Sequence, residues 1–306
     1  MASDPITYFN RYTDKLEQEH IYGEAPLRFA YQNPAGRAAL ELIVKRAIFS
    51  RWYGWRMDRA SSRARVAPFI AKYGLDPAEF ADMPESFASF NEFFSRKLKP
   101  GARPVAAEAA VVFPADGRHL GFQNVADVPG VFVKGQRFDI PALVGSAELG
   151  AHYREGTLVL SRLCPVDYHR FHFPCAGVPG VPRLINGPLY SVNPIALRRR
   201  LAYLWENKRV ITKFATPELG TVLLMEIGAT NVGSIVQTMT PGTPVAKGGE
   251  KGYFKFGGSS TITLFEPGKV TLAADLIAHS AEQRELYARM GDVMAHGCPV
   301  TPSPGG

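Results

Sequence analysis

From Val111 onward the chain is written in short β-prone runs cut apart by Gly and Pro. They are Val111-Val112-Phe113, Val131-Phe132-Val133, Thr157 to Leu160, Tyr168 to Phe173, Val210 to Phe214, Thr221 to Ile227, Val232 to Met239 and Thr261 to Phe265. A parallel α/β sheet needs a helical crossover between successive strands, and most of the intervals here hold none. The spacing therefore predicts an α+β protein with a β-rich core, in which Arg198 to Asn207 and Ala281 to Met294 are the helical exceptions. Lys97 to Pro104, with Pro100-Gly101 and Arg103-Pro104, marks the boundary between residues 1–100, helical in texture, and a β-rich catalytic region over residues 101–306.

The amino-terminal region is the basic one. Between Arg37 and Arg65 eight Lys and Arg face only Glu41 and Asp58, which accounts for most of the net charge of +7. Leu40, Ile43, Val44, Ala47, Ile48, Trp52 and Trp55 recur at helical spacing over Ala38 to Met57, while Lys45, Arg46, Arg56 and Arg59 take the remaining surface. Such a helix either lies in an anionic membrane interface or packs on the protein's own core with a solvated basic face. The Trp52, Tyr53 and Trp55 cluster favours the membrane, because amphipathic rings settle at the headgroup layer. Further on, Asp76 before Pro77 reads as a helix start, and Ser86 to Phe94 as another apolar helical piece.

Composition excludes several classes. With 46% hydrophobic and 21% charged residues the chain carries enough apolar matter for a core, so disorder is excluded. Cys164, Cys175 and Cys298 lack metal-ligand spacing and leave one thiol over if paired, which points to a reducing, cytosolic compartment and to no metal. The start Met1 to Pro5 is not that of a signal peptide, and no apolar run is long enough for a transmembrane segment. Aromatic residues are not grouped beside the basic stretch as a base-stacking surface would require, so nucleic acid is not the expected partner.

Three segments carry candidate chemistry. In Val166 to Pro174, His169 and His172 lie three apart, so on a strand they point to opposite faces and suit two acid/base tasks better than one metal; either could instead be a hydrogen-bonded structural residue. Asp116, before Gly117, is either a turn residue or the carboxylate that orients an imidazole. In Lys255 to Phe265, Gly257-Gly258 precedes Ser259-Ser260 at a tight turn. A serine hydroxyl needs a base before it attacks, and a preceding glycine gives an unhindered carbonyl and a backbone that tolerates unusual dihedrals. Those are the needs of a serine attacking the peptide bond before it. No Gly-x-Ser-x-Gly elbow is present.

Taken together, these segments resemble the phosphatidylserine decarboxylase family. The resemblance is carried by Phe90-Asn91-Glu92-Phe93-Phe94-Ser95-Arg96, Pro114-Ala115-Asp116-Gly117, Asp167 to Pro174, Leu189 to Pro194, Asn207-Lys208-Arg209, Gly228 to Ile235 and Lys247 to Lys269. It covers about Ser86 to Lys269; the first eighty or so residues carry no matching motif.

The resemblance implies a proenzyme that cuts itself between Gly258 and Ser259 and turns Ser259 into a covalent pyruvoyl group at the head of a short α chain, residues 1–258 remaining as an associated β chain. It implies an Asp116, His172, Ser259 triad for the cut and a role for His169 in decarboxylation. The implied substrate is phosphatidylserine, converted to phosphatidylethanolamine, with a soluble amino acid or another serine-headgroup lipid as the alternative. A barrel-sandwich-type core is implied as well, with amino-terminal helices that meet an anionic phospholipid membrane as a peripheral protein on its cytoplasmic face, often as a homodimer. Lys45, Arg46, Trp52, Trp55 and Arg56 are the matching membrane-facing candidates. Two positions depart from the family pattern: Ser260 stands where Thr is common, which makes it a competitor of Ser259, and Cys164 stands where Ser is usual.

Overall fold

A computed structural model of the chain describes residues 5–107, 111–230, 235–257 and 259–298. Gly258, and Asn231 to Ser234 of the Gly228 to Ile235 motif, lie outside the described residues. The fold is α+β, as expected. Its main element among the described residues is a ten-stranded sheet that is open and does not close into a barrel.

The centre of that sheet runs Gly220–Ile227, Ser259–Phe265, Thr157–Leu163, Gly117–Phe122, all antiparallel. These strands are buried on both faces, which explains why they read as near-continuous apolar runs. Beyond Glu285–Ala288 the sheet takes on Thr7–Asn10, paired in parallel, and then Lys15–Gln18. The amino-terminal region thus contributes two strands at one end of the sheet, each only four residues long, with Lys15–Gln18 as the edge.

A second sheet of three strands, Ile235–Gln237, Glu250–Phe254 and Arg170–His172, contributes Phe171 and Phe254 to a cluster with Leu163 of the large sheet. Its pairing shifts between Glu250 opposite His172 and Gly252 opposite Phe171, so Lys251 is an extra residue in a β-bulge.

The amino-terminal helices are shorter than the periodicity predicts. Pro34–Ala39 and a π-helical turn at Leu40–Val44 end at Lys45, and Arg46 is extended (φ −78°, ψ 139°) before a new helix spans Ala47–Asp58. Downstream, Asp76 caps the turn Pro77–Glu79 by accepting from the Ala78 N–H, and Ser89 caps Phe90–Phe94 by accepting from Glu92. Phe69, Phe80, Phe87, Phe90, Phe93 and Phe94 form an aromatic core together with Phe256, so this helical layer is built directly onto the segment that leads to Ser259. The predicted helix over Ala281 to Met294 is a correction: the helix is Ala274–Ala281, and strands Glu285–Ala288 and Val293–Gly297 follow. Leu286, Met290 and Met294 imitate helical spacing but are buried from strands and a turn.

Candidate active site

Ser259 opens its strand, opposite Leu163, and is fully buried. Side chains of directly paired residues share a face of the sheet, and successive residues alternate. Ser259 therefore shares the face of Leu163, which packs with Ala115, Phe171 and Phe254 and looks toward the three-stranded sheet. Ser260, opposite Arg162, shares the other face. Neither hydroxyl has a hydrogen-bond partner among the described residues. Just before them Gly257 adopts φ +137°, a region that side chains rarely enter.

His169 precedes the strand Arg170–His172, and its carbonyl accepts from Phe254 N–H. Its Nδ1 lies 2.9 Å from the Asp167 carbonyl, which assigns the proton to Nδ1 and leaves Nε2 an acceptor, without a partner among the described residues. Burial pushes the imidazole down to about 3, against the pull of the Asp167 and Gly257 backbone, so it is neutral at pH 7. Phe94 covers the ring at a centroid distance of 3.9 Å.

His172 is held by Pro114, whose carbonyl accepts its backbone N–H at 2.7 Å. Its Nδ1 lies 3.0 Å from the Gly248 carbonyl and its Nε2 3.3 Å from the Tyr168 hydroxyl. The same reasoning places a lone pair on Nε2, facing Tyr168. Burial lowers the pKa of this ring too, while Gly248, Glu250 and the Asp116 charge favour its protonated form.

Asp116 does not bond to either histidine. Its carboxylate is gripped by Arg103, with Nε at 3.0 and 2.9 Å and Nη2 at 2.7 Å, and accepts from Met290 N–H at 2.9 Å. The structure thus brings the Asp116 turn and His172 side by side through the Pro114 bond, yet among the described residues no hydrogen bond joins Asp116, His172 and Ser259. Sequence reading missed Arg103, which it took only as part of a boundary, and Tyr168, hidden inside a motif read for its histidines. No spacing signals either contact.

Asn91 fastens the approach to the serine. Its Oδ1 accepts Phe256 N–H at 2.8 Å, while its Nδ2 donates to Gly54 O at 3.2 Å and Asp58 Oδ1 at 2.9 Å. Segment 255–257 is thereby tied to the helix that carries Trp52 and Trp55. A cavity of about 580 Å³ opens beside Gly257; Leu27, Phe29, Leu40, Val44, Tyr53 and Phe256 supply apolar wall, and Glu19 and Arg162 lie at its polar end. Cys164 also borders it; its thiol is raised by burial and accepts from Arg162 Nη1 at 2.9 Å.

Of the membrane-facing candidates, Lys45 is engaged by the protein itself: it pairs with Glu41, donates to the Tyr190 hydroxyl at 2.9 Å and lies over that ring. Arg46, Trp52, Trp55 and Arg56 are exposed or nearly so, beside exposed Leu42, Ile43 and Ile48. Arg56 lies over Trp52 and Arg59 over Trp55. No helix among the described residues is long and apolar enough to cross a membrane.

Ser259, sealed from solvent, follows the glycine-only conformation of Gly257, and Gly257 in turn neighbours the neutral His169 imidazole and borders the cavity. Comparison with known proteins makes this specific. Residues 90–295 match the family described as Phosphatidylserine decarboxylase. The chain is 43% identical over 292 residues, 95% of it and 97% of the relative, to a protein of Chlamydia trachomatis serovar D named phosphatidylserine decarboxylase proenzyme. Proteins of the same name from Fusobacterium nucleatum and Desulfitobacterium hafniense are 40% and 39% identical, covering 95% and 94% of this chain and 98% and 97% of theirs. The chain belongs to the phosphatidylserine decarboxylase family.

Proposed function

We propose that this chain is a proenzyme that cuts itself between Gly258 and Ser259 and then decarboxylates phosphatidylserine to phosphatidylethanolamine. Membership of the family supports the decarboxylase activity. The observation that carries the lipid reading is the cavity, whose walls are apolar and which reaches from the amino-terminal helices to Gly257. A free amino acid has no use for such walls, whereas a lipid that keeps its chains against them brings its headgroup to the serine.

In the cut, the Ser259 hydroxyl attacks the carbonyl carbon of residue 258, the peptide C–N bond breaks, and an ester to Oγ replaces it. Elimination then breaks the Cβ–Oγ bond and frees a carboxylate on the β chain; water replaces the nitrogen, which leaves as ammonia. Ser259 is favoured over Ser260 because it shares a face with Leu163, which packs against Phe171 of the histidine-bearing strand, while Ser260 faces Arg162. His172, whose neutral ring offers Nε2, is the proposed base, and Asp116, through its charge, favours the imidazolium that results. Release of Asp116 from Arg103 would be needed for direct contact.

Ser259 fits the pyruvoyl group it is proposed to become: its side chain is buried and unpartnered, and it lies two residues after Gly257, which borders the cavity. Once formed, that group supplies a ketone that takes up the electrons released as carbon dioxide leaves. His169 is the residue proposed to move the proton at the substrate carbon: it neighbours Gly257, which also borders the cavity, and its Nε2 lone pair must first take up the proton that it then delivers. Phe94 and the surrounding aromatic core exclude water from it. The exposed Trp52, Trp55, Leu42, Ile43 and Ile48, with Arg46 and Arg56, are the proposed peripheral contact with an anionic bilayer. A homodimer belongs to the same reading.

Two assays test it. Purified mature protein should release carbon dioxide from phosphatidylserine in vesicles and none from free serine; the opposite preference overturns the lipid assignment. His172→Ala should slow the cut and His169→Ala mainly turnover, and the reverse pattern exchanges their roles.

A further inference from the structure

Lys251 is a lysine with nowhere to go. It is 1% exposed, and its Nζ donates to both Glu226 oxygens at 2.8 Å and to Gln237 Oε1 at 2.9 Å; Gln237 Nε2 closes the cluster on Glu226 Oε2 at 2.7 Å. Removing two charges from water costs several kcal/mol each, and burial accordingly lowers the lysine's pKa, with Glu226 opposing. An apolar pair would fill this space at less cost, so its location is informative.

The three residues come from both sheets. Glu226 lies on the large sheet directly opposite Thr261, and Thr261 shares a face with Ser259, two residues earlier on the same strand. Lys251 and Gln237 belong to the three-stranded sheet. Lys251 is the bulged residue between Glu250, which stands opposite His172, and Gly252, which stands opposite Phe171. The bulge turns a charged side chain inward at the point where this sheet meets the serine-bearing one. On the same strand Glu250 instead pairs with Arg170, which also donates to the Ser95 carbonyl, so the histidine strand is pinned separately to the helical layer.

We propose that the Lys251–Glu226–Gln237 cluster is a positioning device for self-cleavage, fixing the sheet that carries His172 in register against the strand that carries Ser259. The inference rests on the self-cleavage reading of Ser259. Lys251 touches neither reacting group; it holds the two sheets at one separation and one offset, because a buried ammonium shared by a carboxylate and an amide tolerates little sliding.

The test follows self-cleavage of newly synthesised full-length chain over time by denaturing gel, with unfolding measured in a Ser259→Ala background where every variant stays uncut. Lys251→Met should slow cleavage at least tenfold. The double variant Lys251→Met/Glu226→Leu removes the stranded carboxylate, so its unfolding midpoint should return to that of the Ser259→Ala parent while cleavage stays at least fivefold slow. Cleavage at the parental rate in either variant overturns the proposal: in the single, the cluster does nothing for the reaction; in the double, it served only to neutralise itself. A double variant slowed only in proportion to lost stability overturns it as well. If the unmodified chain does not cut itself at all, the self-cleavage reading fails first, and the positioning role with it.

Discussion

Two buried ionic clusters flank the strand Ser259–Phe265, one on each face, and they are built differently. On the Ser260 face, Arg162 has all three nitrogens occupied: Nε and Nη2 by Glu285 at 2.8 and 2.6 Å, Nη1 and Nη2 by Glu19 at 3.1 and 2.5 Å, and Nη1 also by Cys164 Sγ. Arg118 adds Asp167 at 2.7 Å. Burial resists ionisation of Glu19, yet Arg162 and Arg118 hold its carboxyl at about 2. This cluster ties strands within the large sheet to Glu19, just past the amino-terminal edge strand. On the Ser259 face, Lys251 and Glu226 instead join two different sheets, each with one proposed reactant. The contrast teaches that similar buried pairs can serve different ends: one ties the amino-terminal segment to the large sheet, and the other joins the two sheets that carry the proposed reactants.

The sharpest break of this comparison is at the serines themselves. Ser259→Ala should give a single uncut chain of 33.5 kDa, while Ser260→Ala continues to cut, as a denaturing gel will show. Cutting that persists in Ser259→Ala moves the reaction to the Arg162 face. Next in size is Arg162→Met, which strands Glu19 and Glu285 in the core; in the Ser259→Ala background urea unfolding should show a loss of about 3–5 kcal/mol. A loss below about 1 kcal/mol would mean that the cluster does not anchor the amino-terminal segment. Asn91→Ala, which unties Phe256 from the tryptophan-bearing helix, should cost about 1–3 kcal/mol and slow the cut, because a buried N–H loses its acceptor.

The last effect is read as a slope, the pH dependence. His119 and His169 are both pushed by burial down to about 3, well below the ordinary value near 6.5. Between those limits the unfolded chain binds protons that the folded chain does not, so the stability present above pH 6.5 is lost as pH falls toward 3. Each ring contributes about 1.4 kcal/mol per pH unit through that window. Urea midpoints of the Ser259→Ala chain at pH 7, 6 and 5 should fall accordingly, and His169→Gln should flatten the slope; an unchanged slope would remove His169 from the buried, neutral state assigned to it.

What was legible in the sequence was set locally. The β-rich texture after Pro104, the cap at Asp76 and the apolar helix that ends at Phe94 all follow from residues a few positions apart. What was hidden depends on partners far along the chain. Thr7–Asn10 is too short a run to stand out and becomes a strand because Glu285–Ala288 offers it an edge; the more polar Lys15–Gln18 then pairs with Thr7–Asn10. The helix over Ala38 to Met57 breaks at Lys45 and Arg46, where Lys45 turns to Glu41 and Tyr190. Arg103 closes on Asp116 from what looked like a linker, and Lys251 points inward only because a bulge reverses the alternation. At the site, the residue types were readable, but their faces were not, and the faces separate Ser259 from Ser260.

The central claim is the cut, and intact mass of the purified chain under denaturing conditions tests it most directly. Two fragments meeting at Gly258 and Ser259 are predicted, the smaller one lighter than a serine-terminated fragment by the mass of ammonia less nothing else and blocked to Edman sequencing. A single full-length mass, a cut at another bond, or a free serine amino terminus would contradict the account.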